Sequence, residues 1–252
     1  MRYALLLPIA IFATGPRSRF VYEKLGTCKQ STRHGVIIWK HVDVGIISEI
    51  FVENMYCATP GLGISDGYAV LDAGAHIGVF TLYAAKSSPN GRVISVEPEE
   101  TNFAFLSENV AANHLSNVTL LQGALDVEPG NAILYVNPKV TGGHTLLAPT
   151  KECELGQRRI TTKTLTLSQL MQRNHITRFD FGKIDIEGKE FEVLDAETIG
   201  YFDRVAIEVH GVGYEVESLK RRFQDSGFNV VSHKGKGVFG SQNYLYAVRK
   251  DV

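Results

Sequence analysis

The residues best suited to chemistry lie where predicted β-strands end, and the first of them is Asp72. Asp72 ends an apolar run and is followed by a turn containing Gly74 and Gly78, after which a helix is predicted to begin. Roughly twenty residues later, the next predicted strand ends on Glu97. In an open parallel sheet, this arrangement places a helix N-terminus at one end of a nucleoside and a carboxylate at its ribose hydroxyls. The sequence therefore predicts a nucleoside site between these two strands.

The spacing within the turn indicates which nucleoside fits. A dinucleotide pyrophosphate requires G-x-G-x-x-G, whose second glycine lets phosphate oxygens approach the backbone. Here His76 occupies that second position and the pattern is Asp-x-Gly-x-x-x-Gly. Because a bulky side chain stands where the pyrophosphate would lie, we predict a nucleoside without phosphates, S-adenosylmethionine (SAM). The predicted cofactor-binding residues are Asp72, Gly74, Ala75, His76, Gly78, Glu97, Pro98, Asn102, Ala124 and Leu125.

These residues have separate expected roles. Asp72 would order the turn and receive the methionine ammonium, or would only cap the following helix. Asn102, one turn into the next helix, could reach the ribose or face water. Ala124 and Leu125 follow the third strand, where an adenine edge would meet the backbone.

A second group of acids follows the fourth strand of the predicted sheet, in the run KIDIEGKE over residues 183–190. Asp185 and Glu187 there would face the same crevice, where carboxylates can orient an acceptor, take a proton or hold a divalent cation. The alternative is that Glu187 and Glu190 only charge a helix start. The predicted catalytic residues are Asp185, Glu187, Glu208 and His144.

A histidine is the preferred general base. His144 lies on a Gly-Gly-His-Thr loop, where a histidine has less structural reason than in a core, and His76 competes for the role. Glu208 and His210 end the next strand and share one face because side chains alternate along a strand. With Asp185 they could bind Mg²⁺, but the spacing does not demand it, so we predict no metal.

The order of elements predicts an α/β fold. From residue 68, strands and helices alternate, which indicates a right-handed parallel βαβαβ half. The last two apolar runs, 228–231 and 243–248, have no helix between them and should pair antiparallel. The predicted strands are 68–72, 92–97, 117–122, 132–136, 159–164, 179–186 and 204–209, and the predicted helices are 78–86, 99–113, 166–173, 189–196 and 215–226. This is the Rossmann-like class I methyltransferase architecture, a mostly parallel seven-stranded sheet that ends in an antiparallel hairpin, with helices on both faces.

Size and charge limit the remaining possibilities. A chain of 252 residues with 44% hydrophobic content can bury one large core. We predict a lead-in over residues 1–60, with a strand at 35–39 and a helix at 44–56, packed on a domain over 61–252 that carries an insertion at about 129–165. A net charge of -1 gives no overall electrostatic footprint for nucleic acid, so a small-molecule partner is expected.

The cysteines and the N-terminus bear on location. Three widely spaced cysteines suggest neither a disulfide framework nor a zinc site. The uncharged run over residues 3–15 resembles a secretory segment, but it is too short to span a bilayer and is interrupted by Pro8. Because export would separate an enzyme from SAM, we predict a cytoplasmic protein with no membrane association.

Several of these segments together resemble the FkbM-type methyltransferase family. The resemblance covers roughly residues 65–210, and KIDIEGKE is its most specific part. One departure is Val79, which replaces an aromatic residue, with Phe80 next. The segments are VLDAGAHIGVFT (70–81), VEP (96–98), FAFLSENVAAN (103–113), Gly143-His144, Leu165, KIDIEGKE (183–190) with Val193-Leu194, and residues 207–210.

The resemblance implies SAM-dependent methylation of a hydroxyl oxygen on a sugar or secondary metabolite. It assigns Asp72, Gly74, Gly78 and Glu97 to the cofactor, and the acids after the fourth strand to the acceptor. Three alternatives stay open: an N-methyltransferase acting on protein or nucleic acid, an NAD-dependent oxidoreductase, and a module that binds SAM without catalysis. An Asn/Asp-Pro-Pro-aromatic turn, typical of base methylation, is not found after the fourth strand.

Overall fold

A computed structural model describes residues 19–22, 27–32, 35–40, 50, 54–57, 59, 61–137, 141–148, 158–210, 213–237 and 240–252. The strands are β1 (Arg19–Tyr22), β2 (Thr27–Thr32), β3 (Gly35–Lys40), β4 (Ala69–Ala73), β5 (Arg92–Glu97), β6 (Val118–Gln122), β7 (Ala124–Leu125), β8 (Gly130–Val136), β9 (Arg158–Leu165), β10 (Phe181–Ile184), β11 (Arg204–Val209), β12 (Phe228–Gly237) and β13 (Gly240–Arg249). The helices are α1 (Val79–Ser87), α2 (Glu100–Ala112), α3 (Leu167–Asn174), α4 (Glu190–Val193) and α5 (Gly213–Asp225), with 3₁₀ helices at Met55–Cys57 and Thr198–Tyr201.

The central element is a seven-stranded sheet in the order β12-β13-β11-β10-β4-β5-β6. The five strands from β11 to β6 pair in parallel. Strand β13 pairs antiparallel with both β11 and β12. The predicted fold, a mostly parallel sheet that ends in an antiparallel hairpin, is therefore confirmed.

Both faces of the sheet are covered, which explains why its strands are apolar without alternation. On β4, Leu71 packs in one apolar cluster with residues of α3 and α5, whereas its neighbour Val70 packs in another with residues of α1. Strand β10 divides in the same way, because Ile184 belongs to the first cluster and Phe181 to the second. Carboxylates stand at or just after the carboxyl ends of β5 and β10, where Glu97 and Asp185 lie.

Strand β10, which is the fourth strand of the predicted sheet, and the helix α4 that follows it are both shorter than predicted. Strand β10 ends at Ile184, because Glu187 at φ 55° and Gly188 at φ 110° turn the chain sharply. Helix α4 ends at Val193, since the Asp195 carboxylate accepts hydrogen bonds from the amides of Glu197 and Thr198 and starts the next 3₁₀ helix. The polar residues after β10 thus lie in a tight turn rather than on a strand or a long helix.

Strands β8 and β9 within the predicted insertion join β7 in a second sheet in the order β7-β9-β8, so both strands predicted in the insertion are confirmed. A third sheet, β1-β2-β3, contains the strand predicted at 35–39. Most of the helix predicted at 44–56, and residues 1–18, lie outside the described residues. Among the helices that the structure describes, none has the length and apolar character required to traverse a bilayer.

Candidate active site

A cleft opens at the carboxyl ends of β4, β5 and β10. Most of the predicted site residues line it. From the cofactor prediction these are Gly74, Ala75, His76, Glu97, Pro98, Asn102, Ala124 and Leu125, and from the catalytic prediction Asp185, Glu187 and His144. Asp72, Gly78 and Glu208 lie outside this lining. The structure therefore brings together residues that the sequence places more than a hundred positions apart.

The turn after β4 is shaped by three left-handed residues, Gly74 at φ 75°, His76 at φ 52° and Gly78 at φ 89°. A Cβ on Gly74 would lie 1.7 Å from the carbonyl oxygen of Asp185, so only glycine lets the ends of β4 and β10 approach this closely. Gly78 has a packing role instead, since a Cβ there would lie 2.6 Å from a methyl group of Leu106. The first glycine therefore shapes the cleft, and the last one seats α1 against α2.

Glu97 forms the polar end of the cleft and is only 4% exposed. Its Oε2 accepts a hydrogen bond from the His76 amide at 2.9 Å, and its Oε1 accepts one from the Glu99 amide at 3.0 Å. The Asn102 side-chain amide is 3.4 Å from the same Oε1. Burial raises the pKa of Glu97 to about 7. A buried carboxylate held this way suits paired hydroxyl donors such as those of a ribose.

Asp72 lies beneath the cleft rather than in it. Its Oδ2 accepts a hydrogen bond from the Thr81 hydroxyl at 2.6 Å, and its Oδ1 is 3.5 Å from the Lys183 ammonium. Burial raises the pKa of Asp72, an effect that Lys183 opposes. Lys183 also donates to the Gly74 carbonyl at 2.6 Å. The structure thus connects Asp72 to the glycine turn through Lys183, a buried cation whose role the sequence analysis missed.

Asp185 lines the cleft directly after β10. Its Oδ2 is 3.2 Å from Lys183 Nζ and accepts a hydrogen bond from the Tyr56 hydroxyl at 3.1 Å. Burial alone would raise the pKa of Asp185, but the cations Lys183 and His210 lower it below its usual range. Asp185 is therefore an ionised carboxylate at neutral pH, able to orient a hydroxyl group.

Glu187 differs from Asp185 in protonation. Its Oε2 is 3.5 Å from Nε2 of His210, and burial raises the pKa of Glu187 to about 8, with His210 opposing the shift and Asp185 and Glu208 adding to it. Ligand atoms of Asp185, Glu187 and His210 lie within 4.8 Å of one another, so this trio could hold a metal ion. The trio differs from the one considered from sequence, in which Glu208 took the place of Glu187.

The histidines predicted as bases are poorly arranged for that role. Nδ1 of His144 accepts a hydrogen bond from the Asn137 amide at 3.1 Å, so the neutral ring carries its proton on Nε2 and has no free lone pair. Burial lowers the pKa of His144, and burial also lowers the pKa of His76 to about 3. This geometry favours a carboxylate as the proton acceptor.

The loop over residues 141–147, within the predicted insertion, lies along the cleft and contacts both of its sides. At one end the Thr141 carbonyl accepts a hydrogen bond from Asn102 at 2.8 Å. At the other end the Thr145 hydroxyl donates to the Glu187 carbonyl at 2.5 Å. Thr141, His144 and Leu146 of this loop line the cleft, and the loop therefore reaches from the side of Asn102 to the side of Glu187.

Tyr56 is a further cleft residue that the sequence analysis missed. Its hydroxyl lies 3.1 Å from Asp185 and 3.2 Å from Glu208, and its ring centre is 5.2 Å from the Lys183 ammonium. Glu208 is buried outside the cleft lining, and its Oε1 is 3.5 Å from Nε2 of His210. A lone tyrosine in a segment without motifs gave no signal from which this position could be found.

The sheet order, the glycine turn and the acidic strand end define a class I SAM-dependent methyltransferase fold. The family described as Methyltransferase FkbM domain matches residues 72–231. The chain belongs to this FkbM methyltransferase family, as the sequence resemblance predicted.

Relatives of known name agree with this assignment. Methyltransferase 1 of Beauveria bassiana is 27% identical over 206 residues, 73% of this chain and 80% of the relative. The 31-O-demethyl-FK506 methyltransferase FkbM of Streptomyces tacrolimicus is 27% identical over 243 residues, 83% of this chain and 92% of the relative. A crystal structure of Methyltransferase FkbM from Methylobacillus flagellatus is similar in fold, with a TM-score of 0.53, 13% identity and coverage of 82% of this chain and 55% of that one.

Proposed function

We propose that the protein transfers the methyl group of SAM to a hydroxyl oxygen of a small acceptor, such as a sugar or a secondary metabolite. The observation that carries this proposal is the pair of carboxylates, Asp185 and Glu187, at the end of the cleft opposite Glu97. Asp185 is held 3.2 Å from the Lys183 ammonium, whereas Glu187 has a pKa of about 8. The two acids thus suit different tasks on one hydroxyl group.

The residues present fit the adenosyl group. Glu97 offers a buried carboxylate to the ribose, Asn102 lies beside it, and Ala124 and Leu125 line the wall expected to face the adenine. His76 fills the position where a pyrophosphate would approach the turn. We propose that the cofactor-binding residues act as the sequence predicts, with Asp72 acting through Lys183 instead of by direct contact.

The bound cofactor supplies a methyl group that is already activated on a sulfonium, so the protein has three tasks. Asp185 would orient the acceptor hydroxyl toward the methyl group. Glu187 would accept the hydroxyl proton as the new O–C bond forms, since a base whose pKa is near the working pH is most effective. The loop over 141–147 would exclude water from both ligands.

Two substitutions separate binding from transfer. Asp185→Ala should retain binding of S-adenosylhomocysteine and lose about 100-fold or more in turnover, because acceptor orientation is lost. The main effect of Glu97→Ala should be to weaken the binding of S-adenosylhomocysteine by about tenfold or more, since the ribose hydroxyls lose their hydrogen-bond acceptor. Isothermal titration with S-adenosylhomocysteine measures the binding, and product mass measures the turnover.

The test incubates the protein with SAM and a panel of glycosides, polyols and hydroxylated metabolites, followed by mass and NMR analysis of the products. A gain of one methyl group on oxygen is expected. Methylation at nitrogen would replace the proposal with an N-methyltransferase. Full turnover by Asp185→Ala on the true acceptor would remove Asp185 from its assigned role.

We also propose that the protein works in the cytoplasm, with no nucleic-acid or membrane partner. The near-zero net charge and the need for SAM support this proposal. Cell fractionation followed by immunoblotting tests the location.

A further inference from the structure

Lys183 places a fixed positive charge beside the glycine turn. It lies on β10 next to Asp72 of β4, because the two residues are register partners in the parallel pair. Its side chain lines the cleft but is only 5% exposed. The oxygen atoms around its ammonium are the carbonyl oxygen of Gly74 at 2.6 Å, Oδ2 of Asp185 at 3.2 Å, the carbonyl oxygen of Ala73 at 3.4 Å and Oδ1 of Asp72 at 3.5 Å. Two carbonyl groups and two carboxylates thus surround one lysine ammonium.

These contacts use the whole donor capacity of the ammonium. A lysine ammonium has three N–H donors and no acceptor, and here four oxygen atoms share the three donors. The ring centre of Tyr56 is 5.2 Å from the ammonium and adds a cation–π contact. Lys183 is therefore held in place by the protein itself, before any ligand binds.

The methionine part of SAM carries an ammonium of its own, and the sequence analysis predicts Asp72 as its acceptor. An ammonium needs carbonyl or carboxylate oxygens, and Lys183 already contacts both Asp72 and the Gly74 carbonyl. The Asp72 side chain is also fully buried, which leaves no surface for a ligand atom to contact. A second ammonium brought to the same oxygens would lie close to the first, and like charges repel strongly in a buried site.

We propose that Lys183 takes the place of the methionine ammonium at the glycine turn, so that the protein binds its cofactor without recognising the amino group there. The inference rests on the proposed function, in which Glu97 binds the ribose of SAM in this cleft. Lys183 gives the turn and the two carboxylates the positive charge that the ligand would otherwise bring. Recognition then depends on the adenosyl group, and the cleft should accept adenosyl thioethers whose side chain has no amino group.

The test compares two ligands of the wild-type protein by isothermal titration. One is S-adenosylhomocysteine, and the other is its deaminated analogue, in which hydrogen replaces the amino group. An ammonium bound by a buried carboxylate contributes about tenfold or more to affinity. Because Lys183 holds these acceptors, the deaminated ligand should bind no more than about threefold more weakly. A loss of tenfold or more on deamination would overturn the proposal.

Lys183→Met gives a second readout. The methionine side chain ends where the lysine Cε lies, so the substitution removes the ammonium and leaves its acceptors to the amino group of the ligand. The ratio of the two Kd values should therefore shift by about tenfold or more in favour of S-adenosylhomocysteine. The matched control is Lys189→Met, because the Lys189 ammonium contacts Asp126 and Glu192 instead. This control should keep the wild-type ratio.

The Kd ratio separates this role from a merely structural one, which would weaken both ligands equally. The same ratio in Lys183→Met and Lys189→Met would therefore contradict the proposal. If Lys183→Met does not fold, the comparison of the two ligands on the wild type decides alone. A wild-type protein that binds neither ligand would overturn the proposed function and this inference with it, whereas tight binding of S-adenosylhomocysteine with a large loss on deamination would overturn only the inference.

Discussion

At the scale of single residues, two carboxylates of the cleft, Asp185 and Glu97, have different surroundings. Asp185 lies beside Lys183 and ionises readily, whereas the hydrogen bonds that Glu97 accepts within the described part of the chain come from amide groups. Burial therefore dominates at Glu97 and raises its pKa to about 7. A ribose that donates hydrogen bonds to this group needs the ionised form, so cofactor binding should depend on pH.

We predict that the affinity for S-adenosylhomocysteine falls about tenfold between pH 8 and pH 6, because a group with a pKa near 7 changes from mostly ionised to mostly protonated. Isothermal titration at both pH values measures it, with Glu97→Gln as a control that should bind weakly and independently of pH. Equal wild-type affinities at the two pH values would count against a ribose contact. In the ligand-free protein, stability depends on pH in the opposite direction. Because the pKa of Glu97 is raised by folding, its contribution to the free energy of unfolding falls as the pH rises from 4.5 to about 7.

At the scale of elements, the site depends on how closely two strand ends approach. The turn after β4 contacts the end of β10 through backbone atoms alone at Gly74, with no flexible side chain between them. Any Cβ at this position must push the strands apart, and the left-handed φ of 75° adds further strain.

Gly74→Ala should therefore lower the free energy of unfolding by about 3 kcal/mol or more, as expected of a steric clash in a packed site. The matched control is Gly63→Ala, where a new Cβ meets nothing within 4 Å and where the effect should stay within about 0.5 kcal/mol. Urea denaturation followed by circular dichroism measures both. Equal stabilities for the two variants would show that the close approach of β4 and β10 does not matter.

The grouping of the residues around the glycine turn could be predicted from sequence because their contacts are local. Gly74, His76 and Glu97 lie within one βαβ unit, whose geometry is fixed by the parallel pairing of β4 with β5. The acceptor half depends on contacts between distant segments, such as Tyr56 with Asp185 or Thr145 with the Glu187 carbonyl. No periodicity or spacing records such contacts, so Tyr56, Lys183 and Glu190 could not be assigned their roles beforehand.

The predicted end of the strand over 179–186 is wrong for a related reason. A strand was expected to continue to residue 186, but the chain turns at Glu187 and Gly188, and the Glu190 carboxylate accepts hydrogen bonds from the amides of Ile186 and Gly188 in this turn. Such a side-chain bond competes with the strand ladder and leaves little trace in propensity. The fold prediction was unaffected, since sheet order follows from the alternation of whole elements.

At the scale of the whole molecule, the sheet places one cleft where parallel strands end, and the FkbM family assignment gives that cleft a methyltransferase role. The cofactor must bind there for the roles of Glu97, Asp185 and Glu187 to hold. A ligand that binds only the folded protein raises its melting temperature by mass action.

The most direct measurement is a thermal-shift titration of the wild-type protein with S-adenosylhomocysteine and NAD in parallel. S-adenosylhomocysteine at about 100 times its Kd should raise the melting temperature by about 5 °C or more, and NAD should not change it. Stabilisation by NAD together with no response to S-adenosylhomocysteine would contradict the account.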